Sequence, residues 1–388
     1  MTSRPKRTDY LVFGQPLIEE EEILEVAASL RAAWLGTGPK VAEFEKRIAA
    51  YKGVKHAVAV NSCTAGLHLS CLALGLQPGD EVIVPAMTFC ATINAVIHSG
   101  ATPVLVDVQP DTFNMDPEAV CDKISPRTRA IMPVHFAGRA CDMDALLGIA
   151  RDHDLKIIED CAHAIETEYR GRKAGAMGNC GVLSFYSTKN IVTGEGGAVL
   201  TNDSNLAARV KMLALHGMSQ DAWKRFSDDG YKHYEVVEIG FKYNMMDLQA
   251  AIGMHQIQRV EAYWQKRLQV WEQYDRAFAG LPVGRPAPFE PEKRHALHLY
   301  TLLIDASAAG ITRDAFMVAL HRLNIGTGVH YRQIARHPVY QQRFGWRPQD
   351  YPVAEAIGEK TVSLPLSAKL TPGDVDSVIG AVRQILGP

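Results

Sequence analysis

The stretch LSFYSTKNIVTGEGGAVLTND, Leu183 to Asp203, places a single lysine between two apolar runs. Gly181 to Tyr186 and Gly197 to Asn202 both read as short buried strands. The loop joining them carries Lys189 and the turn Gly194-Glu195-Gly196-Gly197, and it is too short for a helical crossover. The two strands are therefore expected to pair antiparallel, with the lysine at the end of a sheet.

Working upstream, five more runs share this character: HAVAVNS (56–62), EVIVPA (81–86), TPVLVDV (102–108), AIMPVHF (130–136) and KIIED (156–160). Nearly continuous apolar, β-branched runs mark strands buried on both faces of a mainly parallel sheet. Helical patterns lie between and after them, at Ala65–Leu76, Met143–His153 and Asn205–Leu215. The expected class is α/β, a mixed, mostly parallel sheet sandwiched by helices. After about Leu248 the pattern changes. A long helical stretch, Gln249 to Ala279, leads to the Pro-rich break LPVGRPAPFEP (281–291). HALHLYTLLID (295–305), a helical 311–324 and a closing helix after Thr371-Pro372-Gly373-Asp374 read as a smaller α+β unit. The expected division is a large domain over 1–250 and a small C-terminal domain over 251–388 with a long linking helix. Roughly the first 30 residues are expected to pack on the small one.

A chain of 388 residues exceeds one ordinary core, which agrees with two domains. Hydrophobic residues make up 47% and charged ones 22%, with a formal net charge of −2. No basic block suits nucleic acid, and no polybasic amphipathic segment suits a membrane surface. The N-terminal MTSRPKRTDYLVFG lacks the apolar core of a signal peptide, and no apolar run reaches 18 residues. Seven scattered cysteines without a C-x-x-C pattern are expected to be reduced thiols of a cytoplasmic protein.

Lys189 follows a buried strand directly and has small polar neighbours in Ser187, Thr188, Asn190 and Thr193. A desolvated lysine loses its preference for charge and can form an imine with a carbonyl. A solvated loop lysine is the plainer alternative. Asp160 ends the strand KIIED, at the strand tips where open α/β sheets bind ligands. It is either a helix N-cap or a functional anion, and a buried anion there needs a cation such as a protonated pyridine. His163 could bond that aspartate, cover a ligand ring, or serve only structure. Asn61-Ser62-Cys63-Thr64-Ala65-Gly66 opens a helix with small residues, which suits a phosphate, although an ordinary βα turn looks the same. No complete G-x-G-x-x-G or Walker pattern occurs. Phe89, at another strand end, could stack on a flat ring or fill the core. His330, Tyr331 and Arg332 follow a turn in GTGVHYRQ and could contact a sugar or its pyrophosphate, or form a plain surface loop. For a metal, His295-x-x-His298 is the only suggestive pair and lacks a third ligand, so none is expected. Imine-forming lysine, strand-end carboxylate, phosphate-binding helix start and aromatic plate together match the needs of pyridoxal 5′-phosphate.

The chain then resembles the nucleotide-sugar aminotransferases of the DegT/StrS group along essentially its whole length. The motifs are WLGTGPKVAEFE (34–45), NSCTAGLHLSCLALGLQPGDEVIVPAMTF (61–89), PVHFAG (133–138), IIEDCAHAIETEY (157–169), SFYSTKNIVTGEGGAVLTND (184–203), GFKYNMMDLQAAIG (240–253) and VSLPLSAKLTPGDV (362–375). The resemblance implies a fold type I pyridoxal-phosphate enzyme. It also implies that Lys189 carries the cofactor and later moves the proton, that Asp160 pairs with the ring nitrogen and that Phe89 stacks on the ring. Cys63, Thr64 and Ser184 would hold the phosphate, and His163 would lie beside the ring. A homodimer with shared sites is implied, in which Asn244 or Lys242 reaches the partner's phosphate. The donor would be L-glutamate, leaving as 2-oxoglutarate, and the acceptor a nucleotide-linked 4-keto sugar.

Two stretches depart from the common pattern: Cys63 stands where many members have glycine, and Gly240-Phe241-Lys242-Tyr243-Asn244 where many have Gly-Tyr-Asn-Tyr-Arg. The Lys-Tyr-Asn version, with EDCAHA and NIGTGVHYR (324–332), most resembles enzymes making UDP-4-amino-4-deoxy-L-arabinose. Other 4-keto hexose acceptors remain open. A dehydratase of the same group would have histidine at position 189, so Lys189 speaks against it. A non-catalytic cofactor-binding relative is disfavoured because each expected catalytic position is filled.

Overall fold

A computed structural model of the chain describes residues 7–219 and 234–387. The first six residues of the N-terminal stretch read above lie outside them. Seven strands form the main sheet: β1 His56–Val60, β2 Glu81–Pro85, β3 Thr102–Val106, β4 Thr128–Ile131, β5 Lys156–Cys161, β6 Cys180–Ser184 and β7 Gly197–Thr201. Their spatial order is β1-β7-β6-β5-β4-β2-β3. Pairing is parallel from β3 across to β6, whereas β7 runs antiparallel to both β6 and β1. The β6–β7 pair is thus the antiparallel hairpin expected from its loop length, and the sheet is mixed. One consequence governs the site. The carboxyl ends of β1, β2, β5 and β6 and the amino end of β7 all meet at one edge.

Alternate residues of each strand feed two separate cores. Val58, Val60, Val82, Val84, Ile158, Val182 and Val199 face one, with Leu67 and Leu69 of the helix α3 Cys63–Ala73. Ala57, Ala59, Ile83, Ile157, Leu183, Ala198 and Leu200 face the other. Strands buried on both sides cannot show polar alternation, which is why they read as unbroken apolar runs. The second core is closed by α2 Pro39–Lys52 and by α7 Asp247–Gln258. On the first face lies α4 Cys90–His98, packed against α3. Alongside these run α1 Glu20–Arg31, α5 Met143–Asp152 and α6 Ser204–Ala214.

A third core surrounds a two-stranded sheet, β8 Tyr300–Leu303 with β9 Thr361–Leu364, and includes Trp271, Tyr274, Phe316 and Val378. Its helices are α8 Val260–Phe278, α9 Arg313–Arg322 and α10 Pro372–Leu386. Leu11 belongs to this core, and Arg7 pairs with Asp374 at 2.7 Å. The Thr371 hydroxyl accepts from Asp374 N (3.2 Å) and starts α10 where the Thr-Pro-Gly-Asp signal placed it.

Three sequence expectations are corrected. The helical stretch 249–279 is two helices, α7 and α8, broken at Arg259 (φ −98°, ψ 2°). Arg259 spreads its guanidinium over Glu19, Glu21 and Glu22 of the first helix start, and this fixes the turn. The run 130–136 supports a strand only to Ile131, because Pro133 has no N–H for the ladder. The run 295–305 pairs only over Tyr300–Leu303, and Leu297 takes a positive φ of 56° just before it.

The α2–α7 contact is tight. A Cβ on Gly253 would lie 2.4 Å from Phe44 Cζ, and the fully buried Phe44 ring is 5.2 Å from Phe185. Phe44→Ala should therefore cost about 3–5 kcal/mol. Urea unfolding checks this as a lower midpoint at unchanged slope, and a wild-type midpoint would contradict the packing described.

Candidate active site

At the common strand edge opens a cavity of about 380 Å³. Nine residues singled out in the sequence line it: Cys63, Thr64, Phe89, Asp160, His163, Ser184, Lys189, His330 and Tyr331. They come from segments as far apart as 62 and 331, brought together by the sheet order.

Lys189 stands on the loop from β6 to β7, and its backbone N–H donates to the Tyr186 carbonyl (2.8 Å). Among the described residues its Nζ has no hydrogen-bond partner. Burial pushes its amine down to about 8, against the opposing pull of negative charge at Asp160. Lys52 is also pushed down to about 8 by burial, yet it donates to the Ala164 and Ile165 carbonyls (3.3 and 2.9 Å) and lines no part of the cavity. Lowered basicity therefore does not single out a reactive lysine. Position and a free Nζ do.

Asp160 is 4% exposed near the tip of β5. It is not a helix N-cap: Oδ1 accepts from Ala162 N (3.1 Å) and Oδ2 from the Thr92 hydroxyl (2.9 Å). Thr92 gives its hydrogen to Asp160, so Thr88, 2.7 Å away, must donate to Thr92. Burial raises the Asp160 carboxyl more than these donors and Lys189 lower it. The sequence reading missed Thr88 and Thr92. Their i, i+4 spacing at the start of α4 was the available signal.

The opening of α3 is built without a left-handed glycine. Ser62 is the N-cap (φ −164°, ψ 158°), and its hydroxyl accepts from Ala65 N at 3.1 Å. Cys63 begins the helix and is absent from the positive-φ residues. The helix start leaves the N–H groups of Cys63 and Thr64 without intrahelical partners. Gly197, paired with both Val60 and Ser184, makes room here, since a Cβ on it would lie 2.7 Å from Cys63 N. The Cys63 thiol is pushed well above its usual range by burial and by the Asp160 charge. It stays protonated and is a poor nucleophile.

Phe89 does not fill the core: it is 57% exposed at the mouth, 5.8 Å from the Tyr331 ring. His163 does not bond Asp160. Its Nδ1 accepts from Ala137 N (3.2 Å), and its Nε2 meets the Tyr331 hydroxyl at 2.9 Å. Burial, then the positive charge of Lys189, holds His163 well below its usual range, so the ring is neutral with its hydrogen on Nε2. That hydrogen is donated to the Tyr331 oxygen, which leaves the phenol's own hydrogen free. Burial raises the Tyr331 phenol, so it stays protonated. His330 approaches Ser363 Oγ (2.8 Å) and is pushed down to about 3 by burial and by Lys189.

Three expected residues lie outside the cavity. Arg332 is exposed, since the chain turns it away while its neighbour Gln333 is anchored to the Pro348 and Tyr351 carbonyls. Lys242 is exposed. Asn244 donates to the Thr37 hydroxyl (2.6 Å), and its Oδ1 is buried without a partner. The His295–His298 pair forms no ligand set, because His295 Nδ1 accepts from Leu297 N and His298 Nδ1 meets Asn190. His135, Glu159 and Cys161 do cluster, but Glu159 already accepts from the Gly175, Met177 and Gly178 N–H groups.

The donor set fits pyridoxal 5′-phosphate. A buried carboxylate has oxygens with lone pairs to spare, an unbonded amine has lowered basicity, and free N–H groups stand at a helix start. An exposed aromatic face at the mouth completes the set.

Comparison with known proteins agrees. The DegT/DnrJ/EryC1/StrS aminotransferase family model matches residues 16–383. The Bacillus subtilis spore coat polysaccharide biosynthesis protein SpsC is 48% identical over 383 residues, covering 98% of each chain. A sugar aminotransferase from Streptococcus pneumoniae, Spr1654, solved in forms with each state of the cofactor, superposes with a TM-score of 0.89. It is 32% identical over 97% of this chain and 97–98% of its own. Helicobacter pylori PseC, an aminotransferase of pseudoaminic acid biosynthesis, gives 0.89 at 29% identity, covering 98% and 99%. No helix among the described residues is long and apolar enough to cross a membrane, and none of the seven cysteines is in a disulfide. With a family match over nearly its whole length and a cavity built for the cofactor, the chain belongs to the DegT/DnrJ/EryC1/StrS aminotransferase family and is a pyridoxal-phosphate-dependent sugar aminotransferase of the type I fold.

Proposed function

We propose that the enzyme moves the amino group of L-glutamate to C4 of a nucleotide-linked keto sugar, with Lys189 as the residue that bonds the cofactor. The observation that carries this reading is the meeting of an unbonded, weakly basic Lys189 and a buried Asp160 in one cavity. When bound, the cofactor supplies an electron-withdrawing ring that acidifies the substrate's α-hydrogen. Asp160 would keep the ring nitrogen protonated, Phe89 would cover the ring, and Cys63 N–H, Thr64 and Ser184 would hold the phosphate. Lys189 Nζ would take the donor's α-hydrogen as a proton in the first half-reaction and deliver a proton to the acceptor carbon in the second. His163 stays beside the ring, neutral, and aims the Tyr331 hydroxyl into the cavity as a donor to substrate. His330 lines the same wall.

The site is completed by a second copy of the chain. Apolar side chains stand exposed along and just beyond α1 (Ile23, Leu24, Leu30, Trp34, Leu35), and Ile239 is 90% exposed. The segment that follows carries Lys242 and Asn244, which serve the partner's cavity, while Arg332 meets the pyrophosphate outside it. The acceptor is UDP-4-keto-pentose, giving UDP-4-amino-4-deoxy-L-arabinose. A 4-keto nucleotide hexose is the second reading, and similarity to PseC, an aminotransferase of pseudoaminic acid biosynthesis, supports a sugar acceptor in general. Similarity to SpsC supports a place in surface polysaccharide synthesis, in the cytoplasm where nucleotide sugars are made.

Borohydride reduction of the loaded enzyme followed by peptide mapping should put the cofactor mass on Lys189 and none on Lys52. Capture of added cofactor by the stripped enzyme needs the neutral amine, whose fraction rises with pH. The capture rate should climb with a midpoint of about 8 and not near 10. Mixing and reassociating Lys189→Ala and Asn244→Ala chains should restore about a quarter of wild-type activity, because half the dimers then hold one intact site. No recovery would sink the shared-site reading. Mass analysis after incubation with glutamate and a panel of 4-keto nucleotide sugars should show amination of the pentose. Amination of a hexose alone establishes the second reading.

A further inference from the structure

Behind the lysine loop lies a buried ion pair that the transamination scheme does not use. Arg267 of α8 and Glu166, in the loop after β5, are 2% and 0% exposed and bond through Arg267 Nη2 and Glu166 Oε1. The second carboxylate oxygen, Oε2, accepts from Asn190 Nδ2 (2.7 Å), and the same nitrogen donates to the Ala296 carbonyl (2.8 Å). Asn190 directly follows Lys189. Its Oδ1 lies 3.0 Å from His298 Nδ1, and the His298 ring lies 4.4 Å from that of His163.

Hydrogen-bond direction runs one way through this chain. A carboxylate and a carbonyl only accept, so the Asn190 amide must turn its NH₂ toward them and its oxygen toward His298. Turning the amide over would set its oxygen against two other acceptors. An amide oxygen only accepts, so His298 carries hydrogen on Nδ1. Burial, foremost, and then the charge of Lys189 keep the ring neutral, which leaves Nε2 bare. Buried ion pairs are often no more stabilising than apolar residues of the same volume, so keeping one beside this loop calls for another role.

We propose that Glu166 and Arg267 are positioning residues of the transamination site. By orienting the Asn190 amide they hold His298 as its Nδ1–H tautomer, and so hold the row His298–His163–Tyr331 in register with Lys189. The proposal takes the cavity to be the transamination site, and its test separates the two ideas. In holoenzyme with ¹⁵N-labelled histidine, long-range proton–nitrogen correlation reads the His298 tautomer without catalysis. The Nδ1–H pattern is expected, and an Nε2–H pattern overturns the proposal. The double variant Glu166→Leu, Arg267→Met keeps volume and leaves no unpaired charge. It should load cofactor normally, show a mixture of His298 tautomers, and lose at least tenfold in kcat with the KM for glutamate within twofold. A pure Nδ1–H signal or wild-type kcat in that variant overturns the proposal. Asn190→Leu leaves the ion pair intact and carries the same expectations should the double variant fail to fold. Wild-type enzyme with the expected tautomer but no transamination would fault the functional reading alone.

Discussion

The antiparallel pairing of β6 with β7 is the constraint on which the rest of the site depends. A short hairpin loop returns the chain immediately, so whatever it carries stays at the strand edge. In a sheet otherwise parallel from β3 to β6, that edge is also where Asp160 sits and where β1 hands over to α3. A helical crossover after β6 would have carried Lys189 away along a face of the sheet. Gly197 is part of the same constraint. It lies between Val60 and Ser184 in the ladder, and its missing Cβ lets the start of α3 approach the strand edge closely.

Burial acts on the two reactive groups in opposite senses toward the same end. It lowers Lys189 and raises Asp160, so each is driven toward its neutral form. Both pressures favour one kind of ligand. A neutral amine can attack a carbonyl, and a carboxylate held at a desolvation cost gains by taking a protonated ring nitrogen as partner. A ligand with an aldehyde and a basic ring nitrogen relieves both costs together. The surrounding histidines, His163, His298 and His330, are all held below their usual range, with Lys189 contributing to each. They add no positive charge around the amine and serve as fixed hydrogen-bonding walls.

Much of this was legible in the sequence because it is local. Strand–turn–helix order, the short β6–β7 loop and the strand-end positions of Lys189 and Asp160 follow from patterns within a few residues. The break at Arg259 was not legible, because three glutamates from the other end of the chain impose it. His163 was left between partners for the same reason. Its Ala137 and Tyr331 contacts come from 26 residues upstream and 168 downstream. Arg332 was grouped with His330 and Tyr331 as one loop, yet only those two line the cavity, and Arg332 is exposed beside Gln333, which is tied to the distant Pro348 and Tyr351 carbonyls. Glu166 was overlooked and Asn190 was read only as a small polar neighbour of Lys189, since neither stands out until Ala296, His298 and Arg267 arrive from beyond position 260.

Lys52 shows what the site requires beyond electrostatics. Both lysines are pushed to about 8 by burial, and both stand close to the loop after β5. Lys52 points its ammonium at two carbonyls of that loop, Ala164 and Ile165, next to His163. Donating two hydrogen bonds suits an ammonium and rewards the charged state that burial penalises. Among the described residues the amine at Lys189 meets no such acceptor, so its lone pair is available at lower cost. One lysine fixes the wall and the other is left free to react. The difference between them is a pair of backbone carbonyls, and charge balance alone would not have told them apart.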